Sequence, residues 1–318
     1  MIHRRKFLLA SGVAAGVLSA PGVLRAQTTV VKMGSLRLIH SMPPHFYERF
    51  LPANLKVEIT TFDSPTDGKN GVVTKSVDFG AFGIAAATLG AAAGEPVVVV
   101  GAFSNKGMGV IGKAGSDVKT VKDLRGKRIG IWPGSTQEVF IMERLRMEGM
   151  SIRDVTAVRV PFGEMHAMLS RGDIDAYVGA EPGPGLSITS GVGQLIEYPY
   201  GTAMGGLNMV FCTHEDTTKA NPDLVRTMMR VHRQAVEFMN ANKTAVAELT
   251  VARLGANRTA VDQALNANNI EYAWRLDQTV LTHARTYAQQ MLEMRQIRQL
   301  PNFDTFLNPR FSNEVASA

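Results

Sequence analysis

The sequence carries a single cysteine, Cys212, among 318 residues, which excludes an internal disulfide and a paired-thiolate metal clamp. Its seven histidines are scattered without an HExxH or H-x3-H pair, so no zinc signature is present. Gly112-Lys113 lacks the spacing of a phosphate-binding P-loop, and no G-x-S-x-G nucleophile elbow occurs. After the N-terminal segment no run approaches the ~20 apolar residues that span a bilayer. Nor does any lysine–arginine cluster remain that would follow a phosphate backbone, so nucleic acid is not an expected partner. Catalytic residues, metal and cofactor are all expected to be absent. Met142, Met147, Met150, Met165 and Met168 stand at helical spacings that suit core packing better than copper ligation.

What is present begins at the N-terminus. His3-Arg4-Arg5-Lys6-Phe7-Leu8-Leu9 is a basic stretch with paired arginines, followed by a short apolar run from Ala10 to Ala20, Pro21 and the small residue Ala26. That is the plan of a bacterial export signal of twin-arginine type, with cleavage expected after Ala26 and a periplasmic destination. Loss of residues 1–26 takes four of the 34 basic residues, leaving 30 against 28 acidic ones, so the mature chain is close to neutral. About 290 residues, at 45% hydrophobic composition for the whole chain, can build two lobes stabilised by burial alone.

Short apolar runs then alternate with helical stretches. Val30–Gly34, Leu55–Thr60, Val77–Gly83 and Val97–Val100 read as strands, with helices over Pro43–Leu51, Thr66–Lys75 and Ala85–Ala93 between them. A second alternating block has strands at Arg128–Trp132, Val155–Val160 and Ile174–Val178, and helices at Gln137–Glu148 and Glu164–Arg171. Beyond about Asn221 the pattern is almost wholly helical. The chain therefore divides into residues 28–107 plus 206–318 as one lobe and 108–205 as the other, each an α/β unit around a mainly parallel sheet.

Several stretches also follow a recognisable order. They are Val77-Asp78-Phe79-Gly80, Gly94-Glu95-Pro96-Val97, Val121-Lys122-Asp123-Leu124-Arg125-Gly126-Lys127, Ser135-Thr136, Arg171-Gly172-Asp173-Ile174-Asp175-Ala176 and Glu181-Pro182. This set resembles the nitrate, sulfonate and taurine receptors of the periplasm and their relatives that bind thiamin-pyrimidine precursors. The resemblance implies a type II periplasmic binding protein fold: two α/β lobes joined by two crossover strands, with the ligand between them. It implies a monomer that delivers a small anionic, zwitterionic or pyrimidine-like solute to an inner-membrane ABC permease. Alternatives are a receptor for a non-ABC importer or a signalling partner and, more remotely, a pyrimidine-synthesising enzyme of the same fold. That enzyme family carries a cysteine-rich iron signature, which one cysteine cannot supply. Arg125 replaces the lysine usual in the relatives.

Candidate ligand-binding residues lie at strand ends, where open α/β sheets hold ligands. Gly134-Ser135-Thr136 opens a helix and offers free N–H groups and two hydroxyls to an anion, or is a plain N-cap. His40 lies on the loop after the first strand, either donating to an anion or merely solvated. Asp63 and Ser64 follow the second strand. Phe82 and Gly83 end the third, and the Phe82 ring either stacks on a planar ligand or belongs to the core. Glu181 either reaches a cationic group of the ligand or braces the second crossover by pairing with a lobe-one lysine or arginine, and Trp132 either walls the cleft or packs under the helix.

Overall fold

The structure, a computed structural model, describes residues 28–267 and 270–317, so the export segment lies outside the described residues. Two sheets organise the chain. One contains β1 (Thr29–Leu36), β2 (Leu55–Phe62), β3 (Phe79–Gly83), β4 (Val97–Asn105), β10 (Leu207–His214) and β11 (Glu271–Tyr272), in the order β11-β4-β10-β3-β1-β2. The other contains β5 (Met108–Lys113), β6 (Arg128–Ile131), β7 (Thr156–Arg159), β8 (Ala176–Ala180) and β9 (Gly193–Glu197), in the order β7-β6-β8-β5-β9.

The two orders correspond. In each sheet three strands run parallel, β1, β2 and β3 in one and β6, β7 and β8 in the other, and the strand that enters from the other lobe is inserted antiparallel: β10 between β3 and β4, β5 between β8 and β9. Each lobe thus completes its sheet with a strand delivered across the junction. This is the two-lobed arrangement that the resemblance implies.

Helices cover both sheets, as parallel strands buried on two faces require. The first lobe has α1 (Pro65–Val73) and α2 (Ile84–Ala92); the second has α3 (Thr136–Met147), α4 (Met165–Arg171) and α5 (Gly183–Thr189). The helical C-terminal part contributes α6 (Glu215–Ala220), α7 (Pro222–Ala241), α8 (Lys243–Leu254), α9 (Arg258–Asn266) and α10 (Gln278–Glu293), then α11 (Phe303–Phe306) and α12 (Arg310–Ala316). On α7 the buried side chains Val225, Met228, Met229, His232, Ala235, Val236 and Met239 recur every three or four residues. They form the apolar stripe that seats the helix, and each large one contributes about 1.5–3 kcal/mol by leaving water.

The first crossover is short. Only Lys106 and Gly107 separate β4 from β5, and both adopt left-handed backbone, at φ 64° and 76°. A β-carbon at Gly107 would stand 2.8 Å from Nδ1 of His40, so glycine is required there twice over. The Lys106 N–H donates to the Gly206 carbonyl at 2.6 Å, which ties this crossover to the segment returning toward β10. The hydroxyl of Tyr200, on that segment, accepts from the Met108 N–H at 2.8 Å and lies 2.9 Å from its carbonyl.

Candidate functional site

The lobes meet directly at the carboxyl ends of their strands. The first point of contact is the helix start singled out in the sequence. Ser135 and Thr136 are fully buried, and their hydroxyls are engaged within the protein. Ser135 Oγ accepts from the Glu138 N–H at 3.1 Å, a regular N-cap. Thr136 Oγ1 donates to the Asn208 carbonyl of β10 at 3.3 Å, joining the two lobes, and the Ala85 N–H points at the same oxygen from 3.5 Å. Gly83 packs on that hydroxyl so closely that a β-carbon there would overlap it.

Glu138 was not foreseen. Its carboxylate accepts from the Gly134 N–H at 2.7 Å and from Gln296 Nε2 at 3.1 Å. The protein's own carboxylate therefore occupies the anion position at the start of α3, and burial raises its pKa above the ordinary glutamate range. In this arrangement the α3 N-terminus is filled from within, and the expected pair of free hydroxyl donors is already in use.

The other strand-end residues sort by burial. His40 is buried, not solvated, and desolvation holds its pKa down to about 3, so the ring is neutral. The Phe82 ring is fully buried over Gly68 and Gly80, a core position and not a wall of the cleft. Asp63 is open to solvent and 3.5 Å from Arg37, a surface pair of small energetic weight. Ser64 caps α1, accepting from the Asp67 N–H at 3.1 Å and donating to its carboxylate at 2.7 Å. Glu181 is fully buried, and its side chain accepts from the Gly185 N–H at 2.8 Å at the start of α5. Its backbone receives the Ile39 N–H at 3.2 Å and donates to the Gly107 carbonyl at 3.0 Å, so it braces the first crossover. Trp132, half-buried at the end of β6, lies under the Arg159 guanidinium at 4.8 Å from the ring centre.

Space lies to one side of these contacts. A cavity of about 620 Å³ opens between the lobes and takes its walls from both. Leu36, Val57 and Ile59 of β1 and β2, with Leu38 just after β1, supply an aliphatic wall, and Phe162, Pro182 and Leu186 of the second lobe also line the cavity. Its ionisable lining is Arg37, His45, Glu48, His166 and Arg253. Burial and, after it, the Arg253 charge lower the pKa of His45; burial lowers that of His166. With both rings neutral near pH 7, two guanidiniums stand against one carboxylate. His166 is fixed in place, its Nδ1 3.0 Å from Ser187 Oγ, which in turn lies 2.7 Å from the Tyr177 hydroxyl. Among the described residues no three His, Cys, Asp or Glu side chains gather as metal ligands, and no helix is long and apolar enough to cross a membrane.

The sequence model of the NMT1/THI5-like family matches residues 49–245, more than half of the chain. The chain belongs to this family. Among curated relatives, a protein of Escherichia coli (strain K12) assigned as an aliphatic sulfonates-binding protein is 24% identical over 177 residues, 55% of this chain and 54% of that protein. The 4-amino-5-hydroxymethyl-2-methylpyrimidine phosphate synthase of Aspergillus parasiticus is 26% identical over 214 residues, covering 63% and 62%. The chain thus spans about half to three-fifths of the length of these curated relatives. Among solved structures, the alkanesulfonate-binding protein SsuA from Xanthomonas axonopodis pv. citri, bound to MOPS, superposes with a TM-score of 0.78 at 20% identity. That match covers 88% of this chain and 99% of SsuA, and it places the fold among periplasmic binding proteins. These curated relatives include both a binding protein and an enzyme, so the likeness alone does not choose between the two.

Proposed function

We propose that this protein is the extracytoplasmic solute-binding component of an ABC importer, closing its two lobes over one small organic anion of sulfonate type. The observation that carries the reading is the interlobe cavity, with walls from both lobes and a surplus of guanidinium over carboxylate. A ligand touching both walls favours the closed form by its differential affinity for it, which is all that lobe closure requires. Residues 1–26 are read as the export signal, cleaved near Ala26, and the mature protein as a periplasmic monomer that docks on an inner-membrane permease. The division at residues 107–108 and 205–206 follows the two crossovers.

Nitrate, taurine and a pyrimidine remain the other ligand classes of the reading. A titration that follows thermal unfolding separates them, because a ligand at 100 times its Kd raises stability by about 2.7 kcal/mol. The expected result is stabilisation by a sulfonate such as MOPS at one-to-one stoichiometry, with the compound recovered unchanged after hours of incubation. Steady conversion of the bound compound overturns the receptor reading in favour of an enzyme.

A further inference from the structure

The C-terminal helices do more than cover the first lobe. α8 packs with α7 on that lobe and ends at Gly255, whose left-handed φ of 64° stops the helix. Asn257 then caps α9, accepting from the N–H groups of Thr259 and Ala260 at 2.9 and 3.2 Å. α9 lies against α5 of the second lobe, with Ala260, Val261, Ala264 and Leu265 as its buried residues. The approach is close: a β-carbon at Gly185 would stand 2.6 Å from the Ala260 carbonyl oxygen. The α8–α9 pair therefore reaches from one lobe to the other beside the two crossovers, and the last turn of α8 lies along the cavity.

That last turn carries Arg253 into the cavity lining, next to Leu254. Among the described residues no carboxylate pairs with Arg253, whereas Arg37, the other guanidinium of the lining, has Asp63 beside it. Arg253 also lies outside residues 49–245, the part of the chain that the family's sequence pattern covers. We infer that Arg253 is a specificity-determining residue: a cation held at the cavity by the α8–α9 bridge, receiving the oxyanion head of an amphiphilic solute whose apolar body lies along Leu36, Leu38, Val57 and Ile59.

The inference rests on the receptor reading and narrows it. A guanidinium offers two parallel N–H donors, a geometry that matches sulfonate and carboxylate heads alike. The aliphatic wall has no use for nitrate, and a cavity of about 620 Å³ is large for taurine. Affinity should therefore grow with the length of the apolar body, by about fourfold per methylene until the wall is covered.

Calorimetry on the mature protein tests this with 1-propanesulfonate, 1-hexanesulfonate, hexanoate and nitrate. We expect 1-hexanesulfonate to bind more tightly than 1-propanesulfonate, and nitrate to bind most weakly. R253A should weaken 1-hexanesulfonate at least tenfold, R253K should recover part of the loss, and R253E should abolish binding, all with unchanged thermal melts in the absence of solute. The hexanoate arm distinguishes a sulfonate-selective head site from one that accepts any oxyanion. Unmodified protein that binds 1-hexanesulfonate while R253A binds it within twofold overturns the role of Arg253 and leaves the receptor reading standing. Unmodified protein that binds none of these anions overturns both.

Discussion

Gly83 at the end of β3 and Thr136 at the start of α3 touch so closely that the absent side chain of the one makes room for the hydroxyl of the other. The contact joins the two lobes. Gly83 has an extended backbone, φ −61° and ψ 141°, so alanine is conformationally acceptable and its only effect is the added methyl group. Gly83→Ala should therefore wedge the lobes apart. The expected outcome is a larger radius of gyration in solution scattering and at least tenfold weaker solute binding. An unchanged radius of gyration would show that the lobes close without this contact.

The two hydroxyls of α3 should separate cleanly on substitution. Ser135→Ala removes a helix cap and should cost about 1 kcal/mol in denaturant melts, with affinity nearly unchanged. Thr136→Val removes the donor to Asn208 across the junction, a bond contributing on the order of 0.5–1.5 kcal/mol to closure. Its loss should appear as a two- to tenfold rise in Kd. If S135A weakens binding tenfold while its melt stays in place, the hydroxyl contacts ligand and the arrangement opposite α3 differs in the bound form.

Acid should unfold the protein early, because two histidines are buried in the neutral state. Burial lowers His40 to about 3 and His232 to about 4, against an unfolded value near 6.5. The unfolded chain then binds more protons than the folded one, so stability is complete above pH 6.5 and falls as pH drops through the window toward 4. Each histidine contributes a slope of about 1.4 kcal/mol per pH unit in that range. His45, His166 and His214 add smaller effects of the same sign. Urea melts from pH 7 to pH 4.5 measure the slope, and His40→Leu should remove close to half of the contribution of the two buried rings.

Export provides a test outside the folded domain. With Arg4 and Arg5 both replaced by lysine, the full-length precursor should remain in the cytoplasm. Normal appearance of mature protein starting near Gln27 in the periplasmic fraction would assign the signal to the general secretory route.

The parallel strands were legible because each is an apolar run between turn residues. Val97–Val100 and most of the Val77–Gly83 run became strands of the first sheet, and residues 97–100 and 79–83 are fully buried there. The antiparallel insertions were not. β5 reads MGVIGK, short and interrupted by glycine, and β10 reads LNMVFCTH, interrupted by Asn208 and leading straight into helices. Neither has a period of its own, since both are fixed by neighbours distant in sequence. The site shows the same division. Ser135 at a helix start follows from local rules, and so does its cap. Glu138 filling that helix end is local too, three residues after its Ser135 cap in an S-x-x-E pattern, whereas Arg253 standing beside His45 some two hundred residues away depends on tertiary contact and leaves no local trace.

The antiparallel insertions also set an order of assembly. The sheet of the second lobe lies wholly within residues 108–197 and can close as soon as that stretch leaves the ribosome. The first lobe cannot. β3 and β4 are separated by the place that β10 will take, so until residue 207 and beyond has been synthesised each presents an unpaired edge of backbone donors and acceptors. The lobe whose strands are made first is thus the lobe finished last, and in that interval the nascent chain is most exposed to pairing with a wrong partner strand.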